Sequence, residues 1–355
     1  MEVKGARINM LNNTVKNITE VDVHKREEAT KRVDTLIKPL KSLGRLEELY
    51  IQLASITGIL YPKVDKKVVL VMAGDHGVFS EGVTAFPQSI TALQTELFTK
   101  GVTGVCALAR QARAEVVVAD VGVAADINHP LIRNYKIAYG TGNIRREAAM
   151  TRQQAVAALE VGIRLANEQI DQGKNLLGTG EMGIANTTPS SAIVSLFTGK
   201  DPEEVTGVGA NLPTAKLSHK ALVIKEAIQR HKPNKNDGVD VLAKIGGFEI
   251  GAMAGVMLAG AARKVPVVVD GFISTSAALI AHAIEPKVLP YLIPAHLSME
   301  QGAKAAAEFL GFKPLLELGL CLGEGSGAAL SFNIIEAATF MNEDMMTFEE
   351  AGMKI

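Results

Sequence analysis

The sequence predicts an α/β protein: a mostly parallel sheet with helices on both faces, Rossmann-like, plus a small helical domain from the chain ends. Short β-branched runs alternate with longer Ala-rich segments of helical period. That alternation implies parallel strands joined by crossover helices. A second observation is that the unusual polar residues stand where the apolar runs end, at Asp75-His76, Asp120, Glu181, Asp270, Ala295-His296 and Glu324. Ligands of such sheets collect beyond the carboxyl ends of the strands, so this is where a site is expected.

In chain order, the segment to about Tyr61 is charged, helical in period and without strands. Strands are expected at Val68–Met72, Val116–Val121, Asn175–Leu177, Val265–Val269, Val288–Ile293 and Leu315–Leu322. Helices are expected at Thr151–Gln172, Leu217–Arg230, Gly251–Arg263 and Met299–Leu310, and the tail after about Ala329 is again helical. The expected division is a large α/β catalytic domain over 62–328 and a small helical domain from 1–61 with 329–355. His231-Lys-Pro-Asn-Lys-Asn-Asp-Gly238 reads as an exposed connection, and no repeat is visible.

Composition excludes several function classes. A 355-residue chain that is 47% hydrophobic and 21% charged can bury a large core. Its net charge of −1 and lack of tryptophan argue against nucleic acid as a partner. No apolar segment reaches spanning length before Glu249, Arg263-Lys264 or Asp270 interrupts it, so no membrane span is expected. The first residues lack the apolar core of a signal peptide and there are only two cysteines, Cys106 and Cys321. Both point to a cytoplasmic protein without disulfides.

Two glycine-rich segments carry the chemistry. Leu322-Gly-Glu-Gly-Ser-Gly-Ala-Ala-Leu330 follows an apolar run and sets Glu324 between glycines, as in a strand end opening into a helix. Taken alone it reads equally as a tight βα connection. Gly178-Thr-Gly-Glu-Met-Gly-Ile-Ala-Asn-Thr-Thr-Pro189 repeats the design, with Glu181 among glycines and Asn186 to Pro189 as the cap and first turn of a helix. Glu181 also reads as a carboxylate that merely satisfies a helix N-terminus. For Lys220 a solvated helix face and a functional cation are equal readings. His76 and His296 lack metal-ligand spacing and read as structural hydrogen-bonders, and Met253 with Met257 reads as core.

Seven blocks resemble a known family in order and spacing: Lys41-Ser-Leu-Gly-Arg-Leu-Glu47, Val69 to Gln88, Gly140-Thr-Gly-Asn143, Gly180 to Pro189, Gly207-Val-Gly-Ala-Asn-Leu212, Asp270-Gly-Phe272 and Leu322 to Ala329. From about residue 30 to the C-terminal helix, the chain resembles the nicotinate-nucleotide:dimethylbenzimidazole phosphoribosyltransferases. The resemblance implies transfer of phosphoribose from nicotinate mononucleotide to a benzimidazole-type base, giving an α-ribotide and nicotinate for cobamide assembly. A pyridinium leaves as a neutral ring, so metal-bound pyrophosphate is not required, and no metal or other cofactor is expected. Matching positions imply Glu324 as the base, Glu181 as a second acid, and Ser80 and Gln88 as contacts to the incoming base. Gly183, Asn186, Thr187, Gly209, Lys220, Asp270 and Ser298 would then hold phosphate, ribose or nicotinate. A homodimer is also implied, for which the apolar segment Gly246–Ala262 offers close helix contacts, although a buried helix within the chain reads as well.

The sequence departs from the family at Leu40-Lys41, where Pro or Val followed by Gly is usual, and at Ala295, where Ser is usual. Phe79, Phe86 and Thr275 are atypical too, and the two phenylalanines flank Ser80 and Gln88, so the acceptor pocket is expected to be reshaped. Some relatives transfer phosphoribose to phenol or p-cresol as heteromers of paralogues, which stays open as an alternative, as an active or a silent subunit. A silent subunit is expected to lose the base, and Glu324 is present. A dinucleotide oxidoreductase is disfavoured because no G-x-G-x-x-G opens a helix after the first strand.

Overall fold

A computed structural model describes residues 10–353; the sequence expectations for 1–9 and 354–355 lie outside the described residues. Six parallel strands form one sheet in the order β3-β2-β1-β4-β5-β6. They are β1 (Lys67–Gly74), β2 (Ala114–Gly122), β3 (Ile132–Asn134), β4 (Leu176–Met182), β5 (Val267–Val269) and β6 (Leu292–Pro294). The order runs outward from β1 on one side and from β4 on the other. The crevice of this doubly wound sheet therefore opens between β1 and β4.

Among the described residues, three helices precede the sheet: α1 (Met10–Lys16), α2 (Val23–Thr35) and α3 (Arg45–Thr57). Between β1 and β2 lie α4 (Ser89–Thr99) and α5 (Gly104–Gln111), and α6 (Arg152–Asp171) leads to β4. Between β4 and β5 run α7 (Thr187–Thr198), α8 (Pro202–Val205), α9 (Leu217–His231), α10 (Gly238–Ile245) and α11 (Phe248–Ala262). The chain ends with α12 (Phe272–Ile284), α13 (Ala303–Leu310) and α14 (Ser326–Asp344).

The period-two pattern of β1 divides the core. Val68, Leu70 and Met72 face one apolar cluster, shared with α6, α7, α11 and α12. Val69, Val71 and Ala73 face the other, shared with α2, α3, α5 and α14. A helix layer thus covers each face. Small residues set the closest helix contact: a Cβ at Gly162 of α6 or Gly255 of α11 would collide with the backbone of the other helix. Nearly every residue of α11 is buried within the chain, so the Gly246–Ala262 segment serves intrachain contact rather than a face offered to a second subunit. At the chain ends, Arg32 reaches the carbonyls of Asn342 and Met345 and the carboxylate of Glu350, and Leu36 bridges to Thr347.

Three expectations need correction, and one strand was not expected. Leu315–Leu322 is not a strand: it makes one isolated bridge, Leu316 to His296, and its Leu318 and Leu322 are exposed. Alternating leucines imitate a strand, but Pro314 and Gly319, the latter at φ 68°, break the extended run. Val288–Ile293 is mostly a 3₁₀ turn, Pro286–Tyr291, as its two prolines favour, and only Leu292–Pro294 is strand. The strand begun at Leu176 continues to Met182, so Glu181 lies in β4 itself and not in a loop after it. Ile132–Asn134, a three-residue edge strand, carries too short an apolar signal to be read.

Candidate active site

The carboxyl ends of β1, β4 and β5 bring the two predicted acids together. Gly323, Glu324 and Gly325 all have positive φ, 82°, 63° and 91°, so the turn entering α14 is left-handed throughout. Glycine takes that conformation without strain, whereas Glu324 occupies it at a cost of about 1 kcal/mol. Close approach explains the glycines as well: a Cβ at Gly180 would collide with the Glu324 carbonyl, and one at Gly323 with the Glu181 carboxylate. Asp270, just beyond β5, fixes the turn by accepting from the N–H groups of Gly325 (3.2 Å) and Ala328 (3.0 Å). Its carboxyl is buried, which pushes its pKa up.

The Glu324 carboxylate is buried and engaged at both oxygens. Oε1 accepts from the Gln94 amide of α4 at 2.5 Å, and Oε2 from the Val105 N–H at the start of α5 at 3.1 Å. Glu181 meets a different environment. Burial first, then the carboxylates of Glu249 and Asp270, push its pKa up to about 8, against opposing hydrogen bonds from Asn186 and the Glu324 backbone. The Asn186 side chain donates to Glu181, which is why it makes no capping bond to α7 although it occupies the N-cap.

A buried pair backs this centre. Glu249 in the first turn of α11 is fully buried and lies 2.8 Å from His76 Nε2. Burial disfavours charge on His76, but Glu249 outweighs it and holds the imidazole pKa above its ordinary value. Thus His76 is a structural hydrogen-bond partner, as expected; His296, wedged between Gly271 and Gly327, is not, since both its buried ring nitrogens lack a hydrogen-bond partner and Nε2 stands 3.9 Å from Asp270.

A second cluster lies at the start of α7. Lys220, in the first turn of α9, is fully buried, so the solvated-face reading fails. Its Nζ donates to Thr187 Oγ1 (2.8 Å) and the Gly207 carbonyl (3.0 Å). Burial lowers its pKa to about 8, opposed by the Glu300 carboxylate. Gly209 has φ 52°, and a Cβ there would sit 2.5 Å from Thr187 Oγ1 and 3.2 Å from Lys220 Nζ. The Glu300 carboxylate faces this cluster too, interacting with the Lys220 ammonium and accepting from the Gly209 backbone. Gly183 is at the crowded crevice, where a Cβ would strike the Gly74 carbonyl. Ser298 is buried in the turn after β6 and accepts from the Glu300 N–H at 3.3 Å.

The expected acceptor residues cluster beyond β1. Ser80 accepts from Asn143 Nδ2 (3.0 Å) and donates to the Gly77 carbonyl (2.9 Å), while Gln88 donates to the His76 carbonyl (3.4 Å). Phe79 packs on the core beside them, and Phe86 is 41% exposed. Sequence reasoning missed Gln94, Glu249, Glu300 and Asn143. Glu249 had a signal, a lone acid in an otherwise apolar fifteen-residue helix. Gln94 had none.

A family model described as phosphoribosyltransferase matches residues 18–353. The nicotinate-nucleotide–dimethylbenzimidazole phosphoribosyltransferase of Alkaliphilus metalliredigens is 54% identical over 351 residues, covering 98% of this chain and all of that protein. The enzyme of the same name from Clostridioides difficile is 48% identical, covering 98% of this chain and 99% of its own. Among solved structures, CobT from Thermus thermophilus superposes with a TM-score of 0.90 at 38% identity, over 93% of this chain and 99% of that one. On a match that runs almost end to end in both sequence and fold, the chain belongs to the nicotinate-nucleotide–dimethylbenzimidazole phosphoribosyltransferase family.

Proposed function

We propose that the chain transfers phosphoribose from nicotinate mononucleotide to a 5,6-dimethylbenzimidazole-type base, releasing nicotinate and an α-ribotide for cobamide nucleotide-loop assembly. The observation that carries this reading is the buried Glu324 carboxylate, held in a left-handed turn at the crevice of the sheet next to a second acid, Glu181. In the transfer the bond from the ribose anomeric carbon to the pyridinium nitrogen breaks, and its electron pair stays on nicotinate. The imine-type nitrogen of the azole forms the new bond with its lone pair, and the proton on the other ring nitrogen passes to Glu324.

Thr187, Gly209 and Lys220 hold the phosphate, with Gly183 and Asn186 at the crevice beside it. Asp270 positions the Glu324 turn, and Ser298 lies on the nicotinate or ribose side. Glu181 is protonated at neutral pH and can donate a hydrogen bond to a ribose oxygen. Ser80, Gln88, Phe79 and Phe86 receive the azole. The reading extends to a cytoplasmic homodimer and to a small helical domain built from 1–61 with 329–355, supported by the Arg32 contacts to the C-terminal tail. Incubation with nicotinate mononucleotide and a panel of azoles, purines and phenols, followed by chromatography, tests the transfer. An α-ribotide of dimethylbenzimidazole with release of nicotinate is expected; products from phenols alone, or none at all, would overturn the reading.

A further inference from the structure

We infer that Gln94 is a positioning residue for Glu324, fixing the carboxylate in the orientation that takes the acceptor proton and tying that orientation to the acceptor-binding segment. The inference rests on the reading of Glu324 as the base. It starts from geometry: the Gln94 Nε2 to Glu324 Oε1 distance is 2.5 Å, and the second oxygen is fixed by the Val105 N–H at 3.1 Å. A free glutamate rotates about three side-chain bonds, and a carboxylate pinned at both oxygens does not. The Val105 donor is a backbone group, whereas Gln94 is a side chain that spans 230 residues of sequence to reach its partner.

The location of Gln94 gives it a second consequence. It lies on α4, whose N-cap is Gln88, and α4 follows directly on the segment carrying Phe79, Ser80 and Phe86. A shift of this segment on acceptor binding moves the helix that holds Gln94. The same helix also anchors the crevice, since Thr91 Oγ1 accepts from the Ile184 N–H beyond β4 at 3.1 Å. Acceptor contacts, the proton-accepting carboxylate and the β4 crevice are therefore linked through one eleven-residue helix.

Gln94→Met keeps the side-chain length and removes the amide, and the test reads kcat, both KM values and the unfolding midpoint of the purified chain. The expected result is a kcat lower by about 10- to 100-fold, the scale of a misplaced catalytic group. Both KM values should stay within about twofold of the parent, as they do when the group removed acts only on the chemical step. Adding Gln94→Met to Glu324→Ala should cost nothing further, because the amide acts through that carboxylate. An unchanged kcat, a loss confined to the KM of the azole, or an additive loss in the double variant would overturn the inference. If Gln94→Met lowers the unfolding midpoint sharply, the isosteric Gln94→Glu is read by the same criteria, with the same loss of kcat expected and its absence counting against. Should Glu324→Ala alone keep parental turnover, the base reading fails, and this inference with it; loss in Glu324→Ala without loss in Gln94→Met fails the inference alone.

Discussion

Glu181 and Glu324 occupy similar Gly-Glu surroundings in sequence, and the fold places them side by side in opposite environments. Glu181 extends from a strand toward two further carboxylates, Glu249 and Asp270, and its pKa rises to about 8. Glu324 leaves the sheet in a left-handed turn and meets two N–H donors. Neighbouring carboxylates in unlike surroundings are how one pocket obtains two roles from one residue type. The glycines differ to the same end. Those of β4 let the Glu324 turn lie against the strand, and those around Glu324 supply the conformation of the turn itself.

The sharpest way to break the comparison is to neutralise each acid in turn. Glu324→Gln should fold normally and lose about 10² to 10⁴ in kcat, the range for removing a general base. Steady-state assay with dimethylbenzimidazole decides it, and near-parental turnover would remove Glu324 from the role. Glu181→Gln should cost less than about tenfold at pH 7, since glutamine resembles the protonated acid present there. An equal loss in both variants would mean that the two environments do not separate two roles.

Gly323→Ala attacks both acids at once. Its φ of 82° strains alanine, and the added methyl would press on the Glu181 carboxylate. Strain of this kind costs roughly 1 to 3 kcal/mol. Gly319→Ala is the control, with φ 68° and open space around it, so it carries strain without collision. Denaturant unfolding should show the larger destabilisation at Gly323, and turnover should fall only there. Equal destabilisation would show that the turn yields without disturbing Glu181.

The comparison also shows what could be read from residues alone. The alternation of apolar runs and helical segments was enough for a parallel sheet, because β1 is buried on both faces throughout and β2 over its second half. The leucines of 315–322 misled because their spacing matches a strand while Gly319 and Pro314 prevent one. Both acids stood out locally, flanked by glycines whose need for positive φ or close approach is a short-range property. Their environments did not, because Gln94, Glu249 and Asp270 arrive from distant segments. Lys41 is a smaller case: it takes φ 60°, so a departure from the family pattern expected from sequence falls on a position that favours glycine for conformational reasons.

Glu181 makes a further, smaller prediction about stability. Its proton is held in the folded chain up to about pH 8 but released near the ordinary value of 4.5 when the chain unfolds. Between those values the folded state binds more protons, so this contribution is fully present below about pH 4.5 and is lost as pH rises toward 8. The unfolding midpoint of Glu181→Gln should therefore fall less steeply than the parent's over that interval, by roughly a few degrees at its upper end. Parallel curves would show that Glu181 is ionised in the fold.

The smallest effect is expected at Asn186. Its position at the N-cap of α7 suggests a capping role, and loss of such a cap costs about 1 kcal/mol at any pH. Its side chain makes no capping bond, however, and donates to Glu181 instead. Removing that donor in Asn186→Ala takes away a contact that favours the ionised acid, so the Glu181 pKa should rise further. Stability measured below pH 6, where Glu181 is protonated, should then change little, and the pH-dependent fall should extend to higher pH than in the parent. A uniform drop across the pH range would assign Asn186 to the helix cap. A drop confined to alkaline pH would assign it to the Glu181 carboxylate.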